Sequence, residues 1–476
     1  MKKFYITTTL PYTNAPLHIG HALEYVRADS LARYKRLQGH EVFFNTGSDE
    51  HGMKVYKKSL EEGKDTKEYT NGHVESFKEQ IKELNISYTN FVRTTDEDHM
   101  KAAQEFWKVC EANGDIYKKN YKSKYCVGCE LEKTDSELIK GECPDHLGQE
   151  IEVIEEENYF FRWSNYKDKL LELYKSNSSF VVPESRFNEI KAFVERGLND
   201  FSISRLKEKM PWGVPVPGDE NHVMYVWFDA LTNYVSVVGW PNDMDTFRSW
   251  WPALQFAGKD NLRAQSAMWQ AMLMSANLPP SKQIVIHGHI TSNGQKMSKS
   301  IGNVSNPLDI VNEYGTDALR YYLTREVSSV EDGDYTQERF LESYNANLAN
   351  GLGNLVSRVL KMSVSYGVTT SLLDNDTVLN NENNKEYRDS IDGYRLDNAT
   401  DFIWKKIGAL DSFVQDTQPF KTIKIDEEKA KKDVEYLLKG LWEISALLIP
   451  FMPQTAEKIQ EAIRENKIPE ALFMRK

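Results

Sequence analysis

Phe4-Tyr5-Ile6-Thr7-Thr8-Thr9-Leu10, a Pro-bounded break Pro11-Tyr12-Thr13-Asn14-Ala15-Pro16, a helical pattern from about Leu17 to Gln38, then Glu41-Val42-Phe43-Phe44-Asn45: this opening stretch decides the fold. The first run is β-branched and aromatic, as a strand requires, and the prolines end it. Leu23, Val26, Leu31, Tyr34 and Leu37 then recur near helical spacing, with Gly39 as the stop. Strand, turn, helix and strand make a βαβ unit, half of an open parallel sheet.

Further out, the pattern is interrupted from about Gly114 to Asn221 by Gly/Pro turns, three of the four cysteines and the acidic run Glu155-Glu156-Glu157. Val223-Met224-Tyr225-Val226-Trp227-Phe228 resumes a strand-like apolar run, and Ile284 to Ile290 is a second short buried-strand candidate. Helical patterns dominate from Asp317 to Lys476, with the Asn/Asp-rich stretch Leu372 to Asn384 expected as a loop between helices.

The chain has 476 residues, room for about three domains. It is 40% hydrophobic, too apolar for disorder, and no apolar run approaches the ~18 residues of a membrane helix. Phe4 to Asn14 is no signal-peptide core, so a cytoplasmic location is expected. The net charge of −12 argues against nonspecific coating of nucleic acid but leaves room for local basic contacts.

Two motifs carry chemistry. His18-Ile19-Gly20-His21 opens the first helix, where two imidazoles at i and i+3 share a face at the positive end of the helix dipole. Gly20 leaves room for a flat base or sugar against the backbone. About 275 residues later, Lys296-Met297-Ser298-Lys299-Ser300 lies between Ser292-Asn293-Gly294 and Gly302-Asn303. Taken singly, the first motif is equally two satisfied histidines, and the second a solvated turn. Jointly they form a phosphate site with a mobile cationic clamp.

A third motif binds metal. Cys126-Val127-Gly128-Cys129 and Cys143-Pro144-Asp145-His146 are separated by 13 residues. Three thiolates and an imidazole make a closed tetrahedral site, hence one structural Zn²⁺; the alternative, a redox pair, lacks a thioredoxin-like surround. Cys110, in a helical pattern with Ala103, Phe106 and Trp107, reads as packing.

On these residues the sequence resembles the class I aminoacyl-tRNA synthetases. Leu10–Asn14, Gly47-Ser48-Asp49-Glu50-His51-Gly52, Tyr225-Val226-Trp227-Phe228-Asp229-Ala230 and Gly258-Lys259-Asp260 narrow the likeness to the methionyl-tRNA synthetases, along essentially the whole chain. The resemblance implies a Rossmann-like parallel sheet split by a zinc-binding insertion, followed by an all-α anticodon-binding bundle. Its divisions here would be 1–113 and 223–292 for the two catalytic halves, 114–222 for the insertion, 293–345 for the lysine-loop and stem-contact region, and 346–476 for the bundle.

It further implies that L-methionine is activated by ATP, with Mg²⁺, and transferred to the terminal adenosine of tRNA(Met). The catalytic positions would be His18, His21, Lys296 and Lys299, and the ATP positions Gly20, Glu24, Gly258, Asp260 and Lys299. Leu10, Tyr12, Asp49, Trp227, Ala230, Tyr234 and Gln265 would surround methionine, with Asp49 taking its ammonium group. Asn354, Arg358 and Phe420 would read the anticodon, Phe420 by stacking where the family has tryptophan. The family mostly has histidine at Gln265 and an apolar residue at Asn261, so fine specificity is open. Homocysteine, one methyl short of methionine, is an expected misactivated substrate. With no oligonucleotide-binding fold after the bundle, a monomer is expected.

Other class I enzymes fit less well. Those for leucine, isoleucine and valine carry a larger editing insertion, and that for cysteine places zinc in its substrate pocket. A decayed RNA-binding relative would not be expected to keep His18, His21, Lys296 and Lys299.

Overall fold

The computed structural model describes residues 2–129, 131–133, 135–144, 148, 150–297 and 305–476. The opening βαβ unit forms as the pattern predicts, from strand β1 (Lys3–Thr7), helix α1 (Ile19–Leu37) and strand β2 (Glu41–Ser48). With β3 (Asn90–Arg93), β4 (Val181–Val182), β5 (Leu254–Gly258) and β6 (Gln283–His287) they build one six-stranded sheet. Its spatial order is β3-β2-β1-β5-β6-β4, and every pairing is parallel. The chain runs outward from β1 to β3 on one side, crosses to the opposite edge at β4, and comes back beside β1 at β5. The β1/β5 boundary is therefore the switch point, where the strands' carboxyl ends open a crevice.

Helix α1 begins where His18 caps it and is buried almost all round, charged residues included. Arg27 donates to the Val327 and Ser328 carbonyls at 2.9 and 2.7 Å. Asp29 meets Arg320 at 2.7 Å, and Arg320 also donates to the Phe451 and Pro450 carbonyls. These contacts dock the sheet onto the helical C-terminal region. On the sheet's other face Phe106 stacks on Trp269, and Cys110 is fully buried there, as packing requires. Burial pushes the Cys110 thiol up to about 12.

Three local expectations need correction. Tyr225–Phe228 is not strand: the strand there is Asp219–Met224, in a separate small sheet, and Val226–Ala230 turns helical. The strand that returns beside β1 is β5, whose short apolar run has no periodicity to mark it. Ile284–Ile290 divides between β6 and Ile290–Ser292, which pairs with Gln295–Lys296 around a tight Asn293-Gly294 turn, both residues at positive φ. The stretch Leu372–Asn384 contains a short helix, Asn375–Asn380, capped by Asp374.

The insertion opens with an antiparallel hairpin, Ile116–Cys126 against Glu152–Phe161, with the cysteines at its tip, and continues through the helices Lys167–Ser176 and Glu184–Glu195. No helix among the described residues is long and apolar enough to cross a membrane.

Candidate functional site

A cavity of about 1000 Å³ opens over the carboxyl ends of β1 and β5. Its two ends are built from the residues the sequence singles out.

At one end are His18, Gly20, His21, Glu24, Gly258 and Asp260. The Gly20 N–H donates to His18 Nδ1 at 3.0 Å, and the His18 N–H donates to His21 Nδ1 at 3.1 Å. The two histidines are thus a reciprocal helix cap, with ring centroids 3.9 Å apart. Because each Nδ1 accepts, each neutral ring carries its proton on Nε2. Burial, with the His18 ring adding, pushes the His21 imidazole well below its ordinary range, against the pull of Asp260. Gly20 has a reason independent of any ligand: a Cβ there would come within 2.8 Å of the His18 ring. Gly258 is similar, since its Cβ would meet Asp260 Oδ1 at 2.7 Å.

Glu24 ties the strand ends together. Its Oε1 accepts from the Thr9 N–H and hydroxyl at 2.6 and 2.7 Å, and its Oε2 lies 3.1 Å from His287 Nε2 at the end of β6. The Asn261 amide lies 3.4 Å from Asp260 Oδ1, so its polar group is directed to this end rather than to the other.

At the other end are Leu10, Tyr12, Asp49, Trp227, Ala230, Tyr234 and Gln265. The segments following β1 and β2 zip together: Asp49 N–H donates to the Pro11 carbonyl at 2.9 Å and Thr13 N–H to the Asp49 carbonyl at 3.1 Å. That places Tyr12 beside Asp49. Trp227 Nε1 donates to the Tyr12 hydroxyl at 2.9 Å, forming an aromatic wall. Gln265 Nε2 donates to the Tyr234 hydroxyl at 2.8 Å.

Behind this wall lies a buried cluster absent from the expected set. Asp229 accepts from His51 Nδ1 at 2.6 Å and from His99 Nε2 at 2.8 Å, and all three side chains are buried. Burial alone would raise Asp229, but the two imidazoles hold it below the usual carboxylate range. The cluster joins the loop bearing Asp49 to the turn bearing Trp227 and Ala230. Asn45 and Asn233 make a second bridge: Asn45 Nδ2 donates to Asn233 Oδ1 at 3.0 Å, and Asn233 Nδ2 to the Ala230 carbonyl at 2.6 Å. His51 and Asp229 stand inside the motif stretches Gly47–Gly52 and Tyr225–Ala230; nothing in the sequence signals His99 as the partner of Asp229 or Asn45 as that of Asn233.

Cys126, Cys129 and Cys143 converge, their sulfurs all within 4.8 Å of one another. Tetrahedral zinc with Zn–S near 2.3 Å spaces its sulfurs by about 3.8 Å, and Cys129 and Cys143 already stand 3.5 Å apart. Burial, with the Cys143 thiol adding, pushes the Cys129 thiol up to about 12. Such packed thiols suit a cation that converts them to thiolates. His146, the expected fourth ligand, lies outside the described residues. The knuckle forms one wall of the cleft, since Lys54 Nζ reaches the Gly128 carbonyl at 2.9 Å and stands 5.0 Å over the Tyr12 ring.

Of the lysine pair, Lys299 and the Lys296 side chain lie outside the described residues; the Lys296 backbone belongs to the hairpin beside the cavity. Asn354, Arg358 and Phe420 stand apart in the helical region. Asn354 is exposed at the start of the helix Asn354–Tyr366. Arg358 pairs with Asp411 at 2.8 Å, on the helix Leu396–Thr417. That helix leads through Gln418, at positive φ, into the turn bearing Phe420, whose ring is 44% exposed, more than core packing allows.

The sequence profile of tRNA synthetases class I (M) matches residues 4–152 and 146–360. The methionine–tRNA ligase of Thermotoga maritima is 42% identical over 481 residues, covering 98% of this chain and 76% of its own length. That of Brucella suis is 39% identical over 479 residues, covering 97% and 92%. Among solved structures, Mycobacterium tuberculosis methionyl-tRNA synthetase in complex with methionyl-adenylate superposes with a TM-score of 0.92 at 37% identity, over 97% of this chain and 94% of that one. A profile matching well over half of the chain, and 42% identity along nearly all of it, mean that this chain belongs to the methionine branch of the class I tRNA synthetases.

Proposed function

We propose that the chain activates L-methionine with ATP and transfers the methionyl group to the terminal adenosine of tRNA(Met). The observation that carries this is the single continuous cavity joining an aromatic, carboxylate-bearing end to a helix cap across the sheet's switch point. The Mycobacterium relative holds methionyl-adenylate, a ligand with one part for each end.

In the first step a methionine carboxylate oxygen attacks the α-phosphorus and pyrophosphate leaves. In the second a ribose hydroxyl of the tRNA attacks the acyl carbon and AMP leaves. Neither step needs a protein nucleophile, so catalysis is positioning and charge stabilisation. His18 and His21 present Nε2–H donors at the helix N-terminus to the phosphates. Lys296 and Lys299 hold the departing pyrophosphate, and Mg²⁺ arrives with the triphosphate. Gly20, Glu24, Gly258 and Asp260 form the adenosine side. Asp49 takes the methionine ammonium group, and Leu10, Tyr12, Trp227, Ala230, Tyr234 and Gln265 surround its side chain.

Cys126, Cys129, Cys143 and His146 hold one structural zinc, which fixes the hairpin tip against Lys54 and supplies no chemistry to the reaction. Asn354, Arg358 and Phe420 read the anticodon, for which Arg358 must exchange Asp411 for a base. The divisions 1–113, 114–222, 223–292, 293–345 and 346–476 are taken as the working units of a cytoplasmic monomer. Methionine-dependent ATP–pyrophosphate exchange tests the reading. Exchange with methionine, and none with leucine, isoleucine, valine or cysteine, is expected; its absence with methionine would overturn the assignment.

A further inference from the structure

Outside the main sheet, a short strand, Gly333–Asp334, runs parallel to Ile290–Ser292, the first strand of the hairpin whose second strand is Gln295–Lys296. Backbone groups make the pairing. The Gly333 N–H donates to the His289 carbonyl and the Tyr335 N–H to the Thr291 carbonyl, both at 2.9 Å. So close an approach needs glycine at 288, where a Cβ would come within 2.3 Å of the Glu331 carbonyl oxygen.

The Asp334 side chain then does what the backbone pairing cannot. In a two-residue turn the N–H of the second turn residue stands outside the hairpin's own ladder and needs another acceptor. Here that group is the Gly294 N–H, and Asp334 Oδ1 accepts it at 3.0 Å. The same oxygen lies 2.8 Å from Thr291 Oγ1, whose proton it shares with the Gly333 carbonyl at 3.0 Å. One carboxylate oxygen thus grips both a strand and the turn. Oδ2 faces Arg339 Nη1 at 3.3 Å, and that arginine is largely exposed, so the ion pair itself contributes little.

The hairpin borders the phosphate end. Ile290 and Met297, on either side of it, line the cavity, and Asp334 does not. Ile290 Cγ2 would stand 3.6 Å from a Cβ placed on Gly20, so the hairpin lies against the first turn of α1. Beyond the lysine pair, the Ser305 carbonyl accepts the Ile19 N–H of that same turn at 3.3 Å. A two-stranded hairpin is marginally stable on its own, and its place beside the cavity depends on what holds it.

We propose that Asp334 is a positioning residue of the activation step: by holding Thr291 and the Asn293-Gly294 turn, it fixes the hairpin that carries Lys296 against the phosphate end, and so sets the rate of adenylate formation. This rests on the part given to the lysine pair in the methionine reading above.

Two substitutions at one position separate hydrogen bonding from charge. Asp334→Asn keeps an acceptor oxygen for Gly294 and Thr291 and gives up only the charge that faces Arg339. Asp334→Ala removes the acceptor. The single-turnover rate of adenylate formation should fall about 10-fold in Asp334→Ala and stay within about 2-fold in Asp334→Asn, at an unchanged KM for methionine in both. Thr291→Val keeps the shape and removes one of the two donors; its rate should fall about 3-fold, and it carries the test if Asp334→Ala does not fold. Amide exchange across residues 290–296 should quicken in Asp334→Ala and match the unaltered chain in Asp334→Asn.

An unchanged rate in Asp334→Ala, or in Thr291→Val where the alanine variant does not fold, would overturn the proposal. So would an equal loss in Asp334→Asn and Asp334→Ala, or a raised KM for methionine in place of a lowered rate. No methionine-dependent ATP–pyrophosphate exchange by the unaltered chain would instead overturn the functional reading on which it rests.

Discussion

At the amino-acid end of the cleft, Tyr234 and Gln265 are 2% and 3% exposed, and their polar atoms are held by partners that are themselves buried. At the phosphate end, His18 and His21 are half-buried and line the cavity, their Nδ1 atoms committed to the backbone. The difference follows from what each end must do. Choosing one side chain among near neighbours needs groups fixed in a low dielectric, where a misplaced polar atom costs most. Holding a triphosphate whose charge moves during reaction needs donors aimed at an open, partly wet space. The two ends should accordingly fail in different ways.

The largest effect is expected at the phosphate end. Lys299→Ala should slow adenylate formation by about 10²–10³-fold, with ATP binding changed far less; pre-steady-state quench measurements of adenylate check it, and an unaltered rate would remove the lysine from this role. At the amino-acid end, Asp229→Ala leaves the His51 and His99 N–H groups without their acceptor. About 1–3 kcal/mol of stability should be lost for each, seen as a lower Tm, together with a raised KM for methionine.

Removal of zinc by a chelator should speed amide exchange across residues 116–161 and leave the helices from Leu396 onward protected; equal change in both regions would count against a local knuckle. The smallest effect is one of pH. His21 is depressed, so its neutral form is the one the fold favours. That contribution is complete above the ordinary histidine value of about 6.5 and is lost progressively as pH falls from there through the lower value in the fold. Its ring, followed by NMR, should protonate at a pH well below that at which an exposed histidine does; coincident titrations would contradict it.

Sequence reading reached the two ends unequally, and for a physical reason. The phosphate end is local: His18, Gly20 and His21 are neighbours on one helix turn, and the cap they form is written in consecutive residues. The cysteine cluster is legible likewise, by spacing. The amino-acid end is assembled from distant segments. Gln265, on a π-helical turn, meets Tyr234 on a separate short helix, and Asp229 meets partners at 51 and 99. No periodicity marks a buried polar pair of that separation. For the same reason β5 carries no sequence signature: Leu254–Gly258 is a short apolar run that reads equally as strand or helix, and Val226–Ala230, which reads as strand, is helical. At Gly20 the residue was legible but its reason was not, since the need for no side chain comes from the His18 ring.

The central claim is that one end selects and the other accelerates. Steady-state ATP–pyrophosphate exchange at varied methionine and ATP, for His21→Asn beside Asp229→Ala, tests it most directly; asparagine can still accept the His18 N–H, so the cap survives. The account predicts that His21→Asn lowers turnover by about 10²–10³-fold at an unchanged KM for methionine, while Asp229→Ala raises that KM at a nearly unchanged turnover. If both variants moved the same constant, or if His21→Asn raised the KM for methionine and left turnover alone, the division of labour between the two ends would be contradicted.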